Sequence, residues 1–350
     1  MRKRLIVVFA MTLFLIFAVN GCVHISHPDD YLAWAVGQTD EDGKAMLLFS
    51  DDSGNSWRRQ GQGILPVGKP LNDVFAVNSK EVWAVGSGSL VMRTGNSGDD
   101  WEIIELTNIA SDVAFSCISV HEETIWLSGK NGMIISSTDD GESWSIHELP
   151  ASASEYLIQG IHAIDNDLIY AVGNKSTPRY GIVLKTEDGG ETWEEIILPN
   201  GYDNIGWIGV KATDKDHIVF HGGRGHYAVT ANGGEQWVTG GPLFTNDINS
   251  LIMLDDSTYW AACDFDTIIR TSNAGVSWIE QDSTGTSNTY LLGIDALDGE
   301  NALITGSSAG YPPFGKILRT EDGGQNWEVV RSATECTVPL SHVTIARKYN

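Results

Sequence analysis

The chain is short of positive charge. Its 22 Lys and Arg stand against 46 Asp and Glu, a formal net charge of −24. Phosphate backbones and anionic membrane surfaces need a basic stripe, so both are excluded as partners, and no nucleic-acid role is expected. Cationic patches on other proteins, or divalent cations, suit this charge better. Cysteine is scarce as well. The four Cys are scattered without a Cys-x-x-Cys pair, which excludes a zinc cluster. No Gly-rich phosphate loop, nucleophile elbow or metal-binding His pair is present, so no cofactor, metal or catalytic residue is expected. What remains is rich in Gly (38) and Trp (12) with a hydrophobic fraction of 42%. That composition suits a soluble, turn-rich, acidic β protein with a real core.

The N-terminus reads as a targeting signal. Met1-Arg2-Lys3-Arg4 is basic, and Leu5–Val19 follows without a charge. This run is short of the roughly 20 residues of a membrane span but has the length of a signal core. Val19-Asn20-Gly21-Cys22 resembles the bacterial lipoprotein box. The resemblance implies cleavage before Cys22 and lipidation of its thiol, with an ordinary cleaved signal or an uncleaved anchor helix as the alternatives. The expected organisation is a signal over 1–21, a tether over 22–30 and one domain over 31–347. The protein would be exported and lipid-anchored in the cell envelope. Processing would remove Arg2, Lys3 and Arg4 and no acid, leaving the chain more acidic still. Cys117, Cys263 and Cys336 would remain; an odd number leaves at least one free thiol, and three apolar buried thiols are expected.

A repeat dominates the rest. Seven octets end in Trp57, Trp101, Trp144, Trp193, Trp237, Trp278 and Trp327, one about every 45 residues. Thr186-Glu187-Asp188-Gly189-Gly190-Glu191-Thr192-Trp193 is typical. These octets resemble the Asp-box of sialidase-type repeats. The acid or amide at position three, Asp52, Asn96, Asp139, Asp188, Asn232, Asn273 and Asp322, can hydrogen-bond the turn backbone. Gly at position five can take a φ that other residues resist, and the Trp can plug the hairpin from below. These position-three residues are therefore read as structural.

A second repeat lies upstream of each box. It is an apolar strand ending in a turn, as in Val82-Trp83-Ala84-Val85-Gly86 and Ile169-Tyr170-Ala171-Val172-Gly173. Each period then holds four strands, and four short strands per period make one propeller blade. The expected fold is all-β: a seven-bladed β-propeller of four-stranded antiparallel blades with seven Asp-box hairpins, with no room for a second domain. Blade 1 lacks an inner strand. Residues 341–347 at the C-terminus and Val23-His24-Ile25-Ser26 compete for it, and the C-terminal strand is preferred because it ties the ends together.

In such a propeller the boxes occupy one rim. The opposite, upper face carries the loops between second and third strands and the crossovers between blades, where function usually sits. Three of these loops read as long: Gly37–Ala45, Gly173–Gly181 and Gly306–Gly315. Arg179, Tyr180, Tyr311 and Phe314 on two of them, with Trp207 at the start of an inner strand, are the candidate partner-binding residues. Phe75, Ile118, His162, Lys211, Ile252 and Asp295 are expected to face the channel by alternation. Among them His162, Lys211 and Asp295 would make a polar section. Arg224, His226 and Tyr227 are expected near Asp264 and Asp266 on adjacent loops.

Enzyme readings fare poorly. A sialidase needs an arginine triad, a Tyr with a Glu and an acid, with an Arg-Ile-Pro-like motif early on, and that motif is absent. Arg93, Arg270 and Arg319 directly precede boxes and belong to the repeat. Xyloglucanase-type hydrolases use two such propellers, and this chain has one. Lys185–Trp193 and Arg319–Trp327 carry a narrower pattern, Arg/Lys-Thr-x-Asp-Gly-Gly-x-x-Trp. With the Trp-Ala-Val-Gly-like strands, it resembles the photosystem II assembly and stability factor family of exported seven-bladed propellers, whose cyanobacterial members are lipoproteins. The resemblance covers nearly all of 31–347 and implies protein binding. That family uses an arginine-rich patch, and no Arg cluster exists here. The expectation is a non-catalytic, monomeric, membrane-tethered scaffold for a protein or glycan partner, with a glycan-binding or sialidase-like propeller as the alternative.

Overall fold

The box pattern predicts a hairpin closed by its own side chains, and all seven are built that way. The computed structural model describes residues 30–176, 179–199, 202, 205–241, 243, 245–283, 288–330 and 336–348. The signal, Cys22, the tether and the competing segment Val23–Ser26 lie outside them. In the first box the Ser50 hydroxyl accepts the Gly54 N–H at 2.9 Å and donates to Asp52 Oδ1 at 2.8 Å. Asp52 in turn accepts the Ser56 N–H at 2.8 Å and the Ser56 hydroxyl at 2.6 Å. Asn232 and Asn273 keep the equivalent backbone bonds through their amide oxygens, at 3.0 and 2.9 Å. Gly at position five takes φ of +80° in the first box and +85° in the third, the left-handed region where a side chain is strained. The Thr192 hydroxyl and N–H and the Thr186 hydroxyl pull Asp188 down to about 2. The position-three acids are thus spent on the turn.

Each box Trp clusters with a second-strand residue of the preceding blade, an aromatic in five cases, Leu303 for Trp57 and Val219 for Trp278. Trp193 meets Trp126 edge-on at 6.1 Å, and Trp327 meets Trp260 in the same way at 6.1 Å. Trp101 joins Trp34, Leu47 and Val74 in one buried cluster. The core is therefore a set of inter-blade layers, each shared by two neighbouring repeats.

Seven four-stranded antiparallel sheets result. The inner strands are Leu71–Ala76, Phe115–His121, Leu157–Ala163, Trp207–Ala212, Ile248–Met253, Thr289–Ala296 and Leu340–Arg347, for blades 2 to 7 and blade 1 respectively. Leu340–Arg347 pairs antiparallel with Tyr31–Thr39, which pairs with Ala45–Ser50 and then Arg58–Arg59. The last strand of the chain thus completes the first blade. Outer strands are only two or three residues long, which blunts their exposed edges. Among the described residues the only helical pieces are short 3₁₀ turns, and no helix is long and apolar enough to cross a membrane. Cys117 and Cys263 are free thiols; Cys263 is buried, and Cys117 and Cys336 are half-buried.

Two loop expectations need correction. Gly173–Gly181 is not a long loop: Ile169–Ser176 and Arg179–Thr186 extend as paired strands through most of it. Part of Gly306–Gly315 is likewise strand, since Ala302–Ser308 continues past the Gly.

Trp83 is fully buried and lies in one cluster with Trp144 of the next blade. Trp83→Ala is expected to cost about 3–5 kcal/mol, read as a lowered urea midpoint. Deleting the chain from Leu340 onward is expected to abolish the single cooperative transition, because it opens the ring.

Candidate functional site

The Gly that ends most second strands marks the upper mouth of the channel. A Cβ at Gly86 would lie 2.1 Å from the Pro70 carbonyl oxygen, and at Gly129 2.3 Å from that of Ala114. The backbones approach this closely because each inner strand carries a bulge. Asn72, Ser116, Gln159, Ile208, Asn249, Leu292 and Ser341 are extra residues with no partner opposite. All seven border one cavity of about 180 Å³ at the mouth. Bulges re-aim side chains next to sites. Here they turn Asn72 Nδ2 onto the Phe115 carbonyl at 2.6 Å and Asn249 Nδ2 onto that of Leu291 at 2.8 Å, each in the next blade.

Below the mouth the inner strands are paired on one side only. Their free N–H groups need partners, and side chains of the preceding blade supply them. Asp73 accepts from Ile118 N at 2.9 Å, Ser119 from Ala163 N at 3.1 Å and Ser250 from Ile294 N at 3.3 Å. Asp295 accepts from Ile345 N at 2.7 Å and Thr344 from Ala76 N at 3.1 Å. Ser119 thereby takes the register position expected of Ile118, opposite Trp126 as Phe75 is opposite Trp83, and Ile118 packs in the inter-blade core instead. The turn His121–Thr124 is tighter than its equivalents, and this shifts the count by one residue.

The polar section contains His162, Lys211 and Asp295, but as separate wall elements. His162 Nε2 lies 3.2 Å from the Ala212 carbonyl oxygen. Loss of hydration, with the nearby Lys211 charge, pulls it down to about 3. Burial raises Asp295, against the two backbone N–H groups it accepts. Lys211 borders the mouth cavity and makes no ion pair within 4 Å among the described residues. Sequence reasoning missed the strongest pair. His342 Nδ1, on the closing strand, lies 2.8 Å from Asp73 Oδ1 on blade 2, an ionic contact rather than an in-line hydrogen bond. Burial opposes the His342 charge, but Asp73 outweighs it and raises the imidazole. Burial also opposes the Asp73 charge; His342, the Ile118 N–H and Lys211 lower it nonetheless. His221 was missed as well. It fills the space beside Gly209, donates to the Ile248 carbonyl at 3.0 Å and is pulled down to about 4 by burial. The sequence signal for His221 was a polar residue at a mostly apolar second-strand position; His342 sits where the other inner strands carry small or polar residues, so only the ring geometry marks it.

On the upper face Tyr311 is fully exposed and Phe314 is 49% exposed. Tyr180 is marginally exposed, with the Lys175 ammonium 6.0 Å from its ring centroid. Arg179 opens its strand opposite Ser176, and its side chain lies outside the described part. Trp207 is corrected: it is buried, stacked on Tyr202 at 6.3 Å, and offers no surface to a partner. It precedes a bulge, and residues at that position point into the core. Phe265 was missed. It is half-exposed in the short blade 6 loop, packs 5.2 Å from Tyr290, and holds φ +54° with Asp266 at +62°. The Arg224 backbone N–H binds Asp247, and no Arg224 ion pair with Asp264 or Asp266 is present. Asp264 and Asp266 instead accept from Asn249 Nδ2 at 2.8 Å and Thr289 N at 3.1 Å.

A family described as Photosynthesis system II assembly factor YCF48 matches residues 104–239. Among solved structures, the chain is similar to one described as YCF48 bound to D1 peptide, at 18% identity and a TM-score of 0.60. That match covers 85% of this chain and 86% of the other. YCF48 from Cyanidioschyzon merolae is 20% identical with a TM-score of 0.60, covering 78% and 88%. The extracellular domain of BT4673 from B. thetaiotaomicron is 14% identical with a TM-score of 0.57, covering 90% and 48%. At such identities the likeness to these structures is one of fold. No curated protein matches. The family match covers the middle part of the chain, and the fold is a seven-bladed Asp-box propeller similar to the solved YCF48 structures.

The Asp73–His342 pair sets a pH dependence. A raised His342 contributes stability that is full below its unfolded value of 6.5 and is lost as pH rises through the folded value. A lowered Asp73 contributes above its unfolded value of 3.8 and loses this as pH falls. The stability difference between the native chain and His342→Gln should therefore be largest near pH 5–6 and shrink by pH 9, measured as urea midpoints.

Proposed function

We propose that this chain is a non-catalytic, assembly-factor-like propeller that holds a segment of a partner protein on its upper face. The observation that carries the reading is the exposed aromatic group of blades 6 and 7: Tyr311, Phe314 and Phe265. Grouped exposed apolar surface marks interaction sites, and aromatic anchors dominate protein contacts. The loops stand on a closed ring, so little ordering entropy is lost on capture. The match to an assembly factor family, and the peptide bound to one structurally similar protein, point the same way.

The chemistry of the acids also favours binding over turnover. Asp264 and Asp266 each hold a donor, Asp73 is ion-paired, and Asp295, the one carboxyl pushed up among the described residues, is tied to two backbone N–H groups in the channel wall. A glycosidase requires one such acid free beside a second carboxylate. In this reading the signal and Cys22 tether the propeller by lipid outside the cytoplasm, where it engages envelope polypeptides.

The test is capture from detergent-solubilised envelope with the native lipidated protein as bait. Tyr311→Ala with Phe314→Ala should lose a saturable partner while the melting temperature stays within a degree or two, since both side chains are exposed. Equal capture by the double variant would refute the assignment of this face. Turnover on a glycoside panel, lost on changing one upper-face acid, would replace binding with catalysis.

A further inference from the structure

Four blades end their third strand in a cation immediately before the box: Arg93, Lys185, Arg270 and Arg319. Three of these lie over a second-strand aromatic ring, Arg93 5.1 Å from the Trp83 centroid, Lys185 5.8 Å from Tyr170 and Arg270 5.4 Å from Trp260. All but Arg270 are also paired with acids. Arg93 meets Asp140 of the next box at 2.7 Å. Lys185 meets Glu187 at 2.5 Å. Arg319 meets Glu328 at 3.0 Å and also contacts Glu321.

Those acids come from fixed places in the repeat, and blade 6 has lost each of them. Glu187 and Glu321 hold the second position of the box, where blade 6 has Ser272. Glu328 lies directly across from Arg319 on the outer strand, where Arg270 faces Ile279. The place of Asp140 in the next box is taken by Gly323. Among the described residues no carboxylate comes within 4 Å of Arg270, and its Nε is buried without an acceptor. The residue borders a groove of about 390 Å³ between the rim of blade 6 and the box of blade 7, walled by Ser272, Ile279, Gln281 and Gly324. Glu280 and Asp282 stand on the same rim without reaching the guanidinium. Ile279, 70% exposed, gives the groove an apolar lip.

We propose that this groove takes a carboxylate-bearing peptide segment, with the carboxylate on the Arg270 fork and an adjacent apolar side chain on Ile279. The planar guanidinium matches a carboxylate through two parallel hydrogen bonds, and the Trp260 ring fixes its plane. On a chain of net charge −24, a guanidinium whose repeat-encoded acids are missing is the place where an external acid is accommodated. The site lies on the rim of the boxes, opposite the aromatic loops, and does not rest on the reading given for them. Its carboxylate has two sources, an acidic side chain or a peptide C-terminus.

Isothermal titration of the full chain separates these cases. The probes are acetyl-Ala-Ile-Glu-Ile-Ala-amide, acetyl-Ala-Ile-Ala with a free C-terminus, the first peptide with Gln for Glu, and inorganic phosphate. Saturable binding of at least one carboxylate peptide is expected, and the stronger of the two identifies the source. The Gln peptide and phosphate should bind at least tenfold more weakly. Arg270→Gln should weaken binding at least tenfold. Ser272→Glu should do the same by restoring the acid that Glu187 and Glu321 provide elsewhere, and the repeat itself shows that this residue is compatible with folding. Absence of saturable binding by either carboxylate peptide overturns the proposal, as does equal binding to Arg270→Gln or equally tight binding of phosphate.

Discussion

Everything in this molecule depends on one strand pairing. Leu340–Arg347 lies against Tyr31–Thr39, so the last residues of the chain complete the first blade. Without that seam two sheet edges would face solvent, and the inter-blade layers on either side would lose a wall. The strand is held from three directions. Leu340 and Val343 are buried, Asp295 of blade 7 accepts the Ile345 N–H, and the Asp73 carboxylate of blade 2 meets His342. Closure is thus a convergence of apolar burial and charge at one place.

The channel wall extends the same logic around the ring. An inner strand satisfies only half its backbone through its own blade, so each blade lends a side chain to the next. Asp73, Ser119, Ser250, Asp295 and Thr344 do this by accepting N–H groups. Polar residues in the channel are therefore mainly mortar. Their shifted acidities follow from burial and from the Lys211 charge, and do not by themselves argue for chemistry.

What distinguishes this propeller is carried where the repeat departs from itself. The boxes use their position-three acids and amides on their own turns, and the box Trp residues on inter-blade cores. The exposed aromatics at Tyr311, Phe314 and Phe265 lie in loops that the repeat does not prescribe. Arg270 lacks the acids that the repeat gives to Arg93, Lys185 and Arg319. Regular positions explain the fold, and irregular ones present surface to something else.

Much of the fold was legible in the sequence because its determinants are local. A box needs only its own eight residues: Ser50, Asp52, Gly54 and Ser56 satisfy one another within a single turn. Repeated seven times with one apolar strand between boxes, that local rule determines blade number, strand count and the structural role of the acids. The site was less legible, because its geometry depends on pairs remote in the chain. Ser119 rather than Ile118 takes the expected register position because of one shortened turn, and Trp207 is buried because a bulge follows it. The ion pair of Asp73 with His342 joins two strands that meet only when the ring closes. Sequence by itself determined the repeat and hence the propeller. Only the tertiary structure decided which side chains face the channel, which aromatics reach solvent and which cation lacks its acid, since each of these depends on a neighbour supplied by another blade.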